Sequence, residues 1–100
     1  MATVFFTPQV LTDEGEILAY LADEAGPKVA AEYKRKFDAF YDAMVDFPAL
    51  CAPRKALGRN IRVGHVIPYS IIYSYVRSRN SVEILRIIHS KRLITKDHLK

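Results

Sequence analysis

One hundred residues, half of them apolar, suit a single small domain with a modest core and exclude a disordered chain. Cys51 is the only cysteine, which excludes an internal disulfide and a cysteine-rich metal site, and no stretch is long and apolar enough to cross a bilayer, so a soluble cytoplasmic protein is expected. The net charge of +4 hides a polarity: residues 1–50 carry four Lys/Arg against nine Asp/Glu, and residues 51–100 carry eleven against two, so the halves stand at −5 and +9. If the acidic half is helical and the basic half is a sheet, the folded molecule has an electropositive side suited to phosphate or to an acidic protein segment.

Thr3 to Thr7 is short, rich in β-branched and aromatic residues and stopped by Pro8, which predicts a first strand. A helix follows, with Asp13 and Glu16 spaced as a capping-box start, Ile17, Tyr20, Leu21 and Glu24 at helical steps, and Gly26-Pro27 as its end. Pro27 then opens a second helix in which Ala30, Tyr33, Phe37, Phe40, Met44 and Phe47 form one apolar face, until Pro48 ends it. Two helices with so short a break predict an antiparallel hairpin whose aromatic stripe must be covered by the remaining apolar surface, a sheet.

After a loop from Ala49 to Arg59, Asn60 to Gly64 alternates as a half-buried strand. Pro68 to Val76 and Val82 to His89 are dominated by isoleucine, valine and tyrosine and flank the turn residues Ser78-Arg79-Asn80-Ser81, which predicts a β-hairpin. Both strands are apolar at both parities, so one face is expected to meet the helices and the other to form a partly covered groove. The order is βααβββ, an α+β fold with the helical hairpin packed on a small, mostly antiparallel twisted sheet. Leu93 to Lys100 is expected as a loose tail.

No catalytic constellation stands out. Cys51 has no histidine near it in sequence, no serine sits in a glycine-flanked elbow, and there is no phosphate-binding glycine loop. His65, His89 and His98 lack metal-ligand spacing, so neither a metal nor a cofactor is expected. The candidate contact residues are therefore basic. His89, Lys91 and Arg92 close the last strand, where they either hold a phosphate or carboxylate partner or form an ordinary basic strand end. Arg86 shares a parity with Val82, Ile84 and Ile88, so it either pairs with an acidic helix residue or lines the open face. Arg59 and Arg62 flank the second strand as contacts or as edge cations that deter aggregation. Tyr69, Tyr73 and Tyr75 belong to the core or, alternatively, stack on bases.

Several stretches carry a resemblance: Ile17-Leu18-Ala19-Tyr20-Leu21, Ala30-Ala31-Glu32-Tyr33, Phe47-Pro48, Tyr69-Ser70-Ile71-Ile72-Tyr73, and Val82 to His89 followed by Arg92. In this order and spacing the chain resembles the ParE/RelE superfamily of bacterial type II toxins over about residues 3–92, and the ParE branch more than the RelE branch. The family often has a glycine soon after the helix-ending proline, where this chain has Leu50-Cys51. Ribosome-dependent mRNA endonucleases of the RelE type carry an arginine directly after the third-strand tyrosine, lysines on the second strand and a tyrosine near the C-terminus. Here those places hold Ser70, Ile61 and Val63 around Arg62, and no tyrosine after Tyr75. The resemblance thus implies a non-enzymatic toxin that traps DNA gyrase with its DNA cleaved and assembles with a ParD-like antitoxin, whose C-terminal segment orders against Arg86, Arg92 or Lys91. Two alternatives remain: an mRNA endonuclease using His89 or His98 with Arg59, Arg62 and Arg92 as phosphate clamps, and a non-toxic basic binding module.

Overall fold

The computed structural model describes residues 1–92 and 94–99. Its elements run β1 (Thr3–Phe6), α1 (Pro8–Ala25), α2 (Pro27–Asp46), β2 (Ile61–Val66), β3 (Tyr69–Val76) and β4 (Ser81–His89), with short 3-10 turns at Arg77–Arg79 and Lys96–Leu99. The four strands form one sheet in the order β1-β4-β3-β2; β1 lies parallel to β4 and the other pairs are antiparallel. The expected α+β architecture is the one observed.

Helix α1 starts at Pro8 rather than at the Asp13–Glu16 pair. Thr7 is its N-cap: the side-chain oxygen accepts from the Val10 N–H at 3.1 Å while the hydroxyl donates to the Leu85 carbonyl at 2.8 Å, and Pro8 has no N–H to satisfy in the first turn. Gly26, at φ +97°, makes the reversal into α2, a conformation that a side chain would strain. Helix α2 buries Phe37, Tyr41 and Met44 against the sheet, whereas Phe47 sits past the helix end and is exposed.

Helices and sheet enclose the main core, in which Val10, Phe37 and Met44 meet Tyr69, Ile71, Tyr73, Val82, Ile84 and Ile87. Full burial of each large side chain contributes about 1.5–3 kcal/mol. Phe37 and Tyr69 rings pack edge-on at 5.9 Å, and Phe40 and Tyr73 at 6.0 Å, so the aromatic stripe of α2 and the tyrosines of β3 form one packed layer.

The alternation along β4 is broken. Ile72 pairs with Arg86 while Tyr73 pairs with Ile84, leaving Leu85 as an extra residue in a β-bulge. Val82 and Ile84 therefore face the helices, and after the bulge Ile87 does so, so Arg86 leaves the parity it was expected to share with them. On the far face Leu57, Ile61, Val63, Ile72 and Ile88 form a second cluster. Where a loose tail is expected, Ile94 and Leu99 pack against this cluster; Leu93 and Lys100 lie outside the described residues.

Candidate functional site

Strand β1 covers the edge of β4 only as far as Ile84. Beyond it the start of α1 takes over: the Thr7 N–H donates to the Ile84 carbonyl at 3.1 Å, and one Asp13 oxygen accepts from the Ile87 N–H at 3.0 Å. The same carboxylate accepts from Arg86 Nε at 2.7 Å and Nη2 at 3.1 Å, a bidentate pair that a guanidinium fork matches. Arg86 also donates to the His98 carbonyl at 3.1 Å. Its pKa is raised above the ordinary value, first by the hydrogen bond to Asp13, with burial opposing. Of the two roles open to Arg86, the structure gives it the acidic helix partner.

Next to this pair a cleft of about 720 Å³ opens between α1 and the end of β4. Ile17, Tyr20 and Leu21 form its helical wall, and Tyr69, His89 and Arg92 face them. Tyr20 is 62% exposed, an aromatic ring at the rim without a full set of packing partners. The His89 ring packs edge-on against Tyr69 at 5.7 Å, and its Nδ1 accepts from the Lys91 N–H at 3.1 Å, so a neutral His89 carries its proton on Nε2. That bond, the Arg92 N–H to His89 carbonyl at 2.9 Å and the Ser90 N–H to Pro68 carbonyl at 2.7 Å fix the turn that presents Lys91 and Arg92 to solvent.

Arg59 and Arg62 are not part of this cleft. They line a second one of about 550 Å³ at the opposite end of β3, where Ile61 pairs with Ser74. Arg62 reaches back through Nη1 to the carbonyls of Ala49 at 3.2 Å and Cys51 at 2.6 Å, and the buried Tyr73 hydroxyl donates to the Pro48 carbonyl at 3.0 Å, so both hold the loop after α2. Tyr75, weighed above as a core or stacking residue, joins the lining with Lys55 and Arg77, which strand-by-strand reading passed over because the β2 loop and the β3 exit converge only in the fold.

Ser70 is 2% exposed and hydrogen-bonded to His65 Nδ1 at 3.3 Å and to Ser90 at 3.2 Å. Among the described residues no group of three or more His, Cys, Asp or Glu side chains is placed as metal ligands would be, and no helix is long and apolar enough to cross a membrane.

A helical hairpin thus lies on a four-stranded sheet in one α+β domain, with a cleft of mixed charge at one end of β3 and a basic cleft at the other. The family model described as the ParE toxin of the type II toxin–antitoxin system parDE matches residues 4–94, and the chain belongs to that family. Among solved structures, it is similar to a chain of the chromosomal ParDE toxin–antitoxin system from P. aeruginosa, at 19% identity and a TM-score of 0.72, covering 89% of this chain and 96% of that one. A chain of the toxin–antitoxin complex RelBE2 from Mycobacterium tuberculosis is similar at 21% identity and a TM-score of 0.60, with 88% and 96% covered. No curated protein matches the sequence significantly.

Proposed function

We propose that this chain acts as a single cytoplasmic toxin domain over residues 1–100, which binds DNA gyrase, traps it with its DNA cleaved and arrests growth without cutting nucleic acid itself. The observation that supports this reading is the sheet face turned away from the helices. Where RelE-type nucleases place cations, Ser70 is buried in a hydrogen-bonded chain, and Ile61 and Val63 sit in an apolar cluster covered by Ile94 and Leu99. A filled apolar face offers no charge to neutralise a scissile phosphate, the largest requirement of that chemistry.

The partner is a ParD-like antitoxin, and the two form a hetero-oligomer. The α1/β4 cleft suits a segment that orders on binding: Ile17, Tyr20 and Leu21 accept apolar anchors, while Arg92 and Lys91 meet carboxylates at the rim. His89 contributes an edge to the same wall, and Arg86, already paired with Asp13, positions the strand. The names of the two similar structures, a ParDE system and a RelBE2 complex, support an antitoxin partner of this kind.

The test sets purified chain against gyrase and against a translation extract in parallel. Inhibited supercoiling with accumulated cleaved plasmid is expected, reversed by the product of the neighbouring gene. Untouched gyrase with codon-positioned cuts in translated message would replace this reading with the nuclease one. Growth without arrest on induction would leave a plain binding module.

A further inference from the structure

The cleft at the β2 end has a chemistry unlike that of the α1/β4 cleft. Lys55, Arg59, Arg62 and Arg77 line it with Tyr75, and no carboxylate does. The α1/β4 cleft mixes Asp13 and Glu16 with its cations and offers apolar walls. Its counterpart offers a peptide little to anchor on, since its one branched aliphatic side chain, Ile61, is buried.

Three of the four cations have no ion-pair partner among the described residues. Among the described residues the ion pairs involve Lys34 and Arg86, and none involves Lys55, Arg59 or Arg77. All three are exposed, and the Arg77 guanidinium lies 6.0 Å from the Tyr75 ring centre, against an aromatic flank. Arg62, engaged with the Ala49 and Cys51 carbonyls, acts as a foundation for the loop.

The loop carrying Lys55 and Arg59 is built before any ligand arrives. The Arg54 N–H donates to the Ile61 carbonyl at 2.8 Å, Leu57 to Arg54 at 3.0 Å and Tyr75 to Asn60 at 3.0 Å, while the Leu57 side chain is buried. Cations held near one another on a fixed frame repel, and a ligand with repeated negative charge relieves that repulsion without a reordering cost. Guanidinium forks match phosphate oxygens bidentately, and one wall carries an aromatic face.

We infer that this cleft holds the phosphodiester backbone of a nucleic acid, with Lys55, Arg59 and Arg77 contacting phosphates and Arg62 fixing the loop that carries Lys55 and Arg59. The site lies at the other end of β3 from Ser70. It does not depend on gyrase being the target.

The experiment measures anisotropy of labelled duplex DNA and of single-stranded RNA with the full chain across a salt series from about 50 to 200 mM. Binding of either polymer is expected, with log affinity falling linearly against log salt by about 0.9 for each phosphate neutralised. The double variant Arg59→Ala/Arg77→Ala should flatten that slope by about two and weaken low-salt binding at least tenfold. Lys28→Ala/Arg35→Ala removes the same charge from the exposed side of α2 and should change binding less than about twofold. Circular dichroism verifies that each variant is folded; should the double variant fail, Arg59→Gln alone should flatten the slope by about one. The inference is overturned if neither polymer binds at low salt, or if the α2 variant loses as much as the cleft variant. It is also overturned if a polyglutamate peptide binds more tightly than both nucleic acids, or if inorganic phosphate at equal phosphate concentration displaces them.

Discussion

Removing Asp13 should destabilise this fold more than removing the arginine it pairs with. Asp13→Ala strands the Ile87 N–H, which lies past the end of β1 and has the Asp13 oxygen at 3.0 Å as its acceptor. An unsatisfied N–H at a partly buried position costs about 1–3 kcal/mol. The same change breaks the bidentate pair with Arg86, whose side chains are 12% and 27% exposed, adding about 1–2 kcal/mol once residual solvent screening is allowed for. The expected total is about 3 kcal/mol, or a fall in Tm of about 12–24 °C for a domain of this size. Arg86→Met removes the pair but leaves the carboxylate on the Ile87 N–H, so about 1.5 kcal/mol is expected. Asp13→Asn, which keeps an acceptor oxygen, should fall near that second value. Urea unfolding followed by circular dichroism measures all three. A loss with Arg86→Met equal to that with Asp13→Ala would show that the strand edge is not what Asp13 holds, and a loss below about 1 kcal/mol with Asp13→Ala would refute the edge-capping account altogether.

Three further predictions follow from other parts of the molecule. Gly64→Ala should cost about 1–3 kcal/mol in the same unfolding assay, because a Cβ there would run into the Phe40 ring and lie 2.8 Å from Cys51 Sγ; unchanged stability would mean that this contact relaxes freely. Burial first, and then the hydrogen bond to Glu14 at 2.7 Å, hold the Tyr41 hydroxyl protonated well above its ordinary pKa of 10.0. Above that pH the unfolded chain sheds a proton that the native one keeps, so stability is full below about pH 10 and declines as pH rises, by about 1.4 kcal/mol per unit for each such tyrosine. Tyr41→Phe should flatten that alkaline decline in thermal melts by one proton's worth, and an identical slope would remove Tyr41 from it. Arg92→Glu should weaken the antitoxin complex at least tenfold by calorimetry, about 1.4 kcal/mol, at unchanged Tm because the side chain is exposed; unchanged affinity would take Arg92 out of the interface.

Most of the architecture was legible because its signals are local. The three- and four-residue spacing of Tyr33, Phe37, Phe40 and Met44 has one reading, and the tyrosines of β3 sit at one parity and pack on that stripe. Where the reading went astray, the deciding partner lies far along the chain. Asp13 carries the signature of a helix cap, yet the N–H it accepts belongs to Ile87, and which N–H a carboxylate takes is a property of the fold. Arg62 looked like a surface cation on an edge strand but spends its donors on two carbonyls of the preceding loop. The candidate basic residues were found by type, while their division into two clefts of different chemistry depends on register across β3. Tyr41 escaped notice because its neighbour Phe40 already filled the apolar pattern.

Leu85 gives β4 two reading frames. Before it, even-numbered residues point at the helices; after it, odd-numbered residues do, and Tyr69 opposite His89 belongs to the second frame. Drawing Leu85 into the regular ladder would turn Ile87 and His89 to the other side of the sheet, whereas deleting Leu85 would close the bulge and leave both facing as they do. The imidazole at the cleft wall thus owes its place to Leu85 standing outside the ladder, although Leu85 takes no part in lining that cleft.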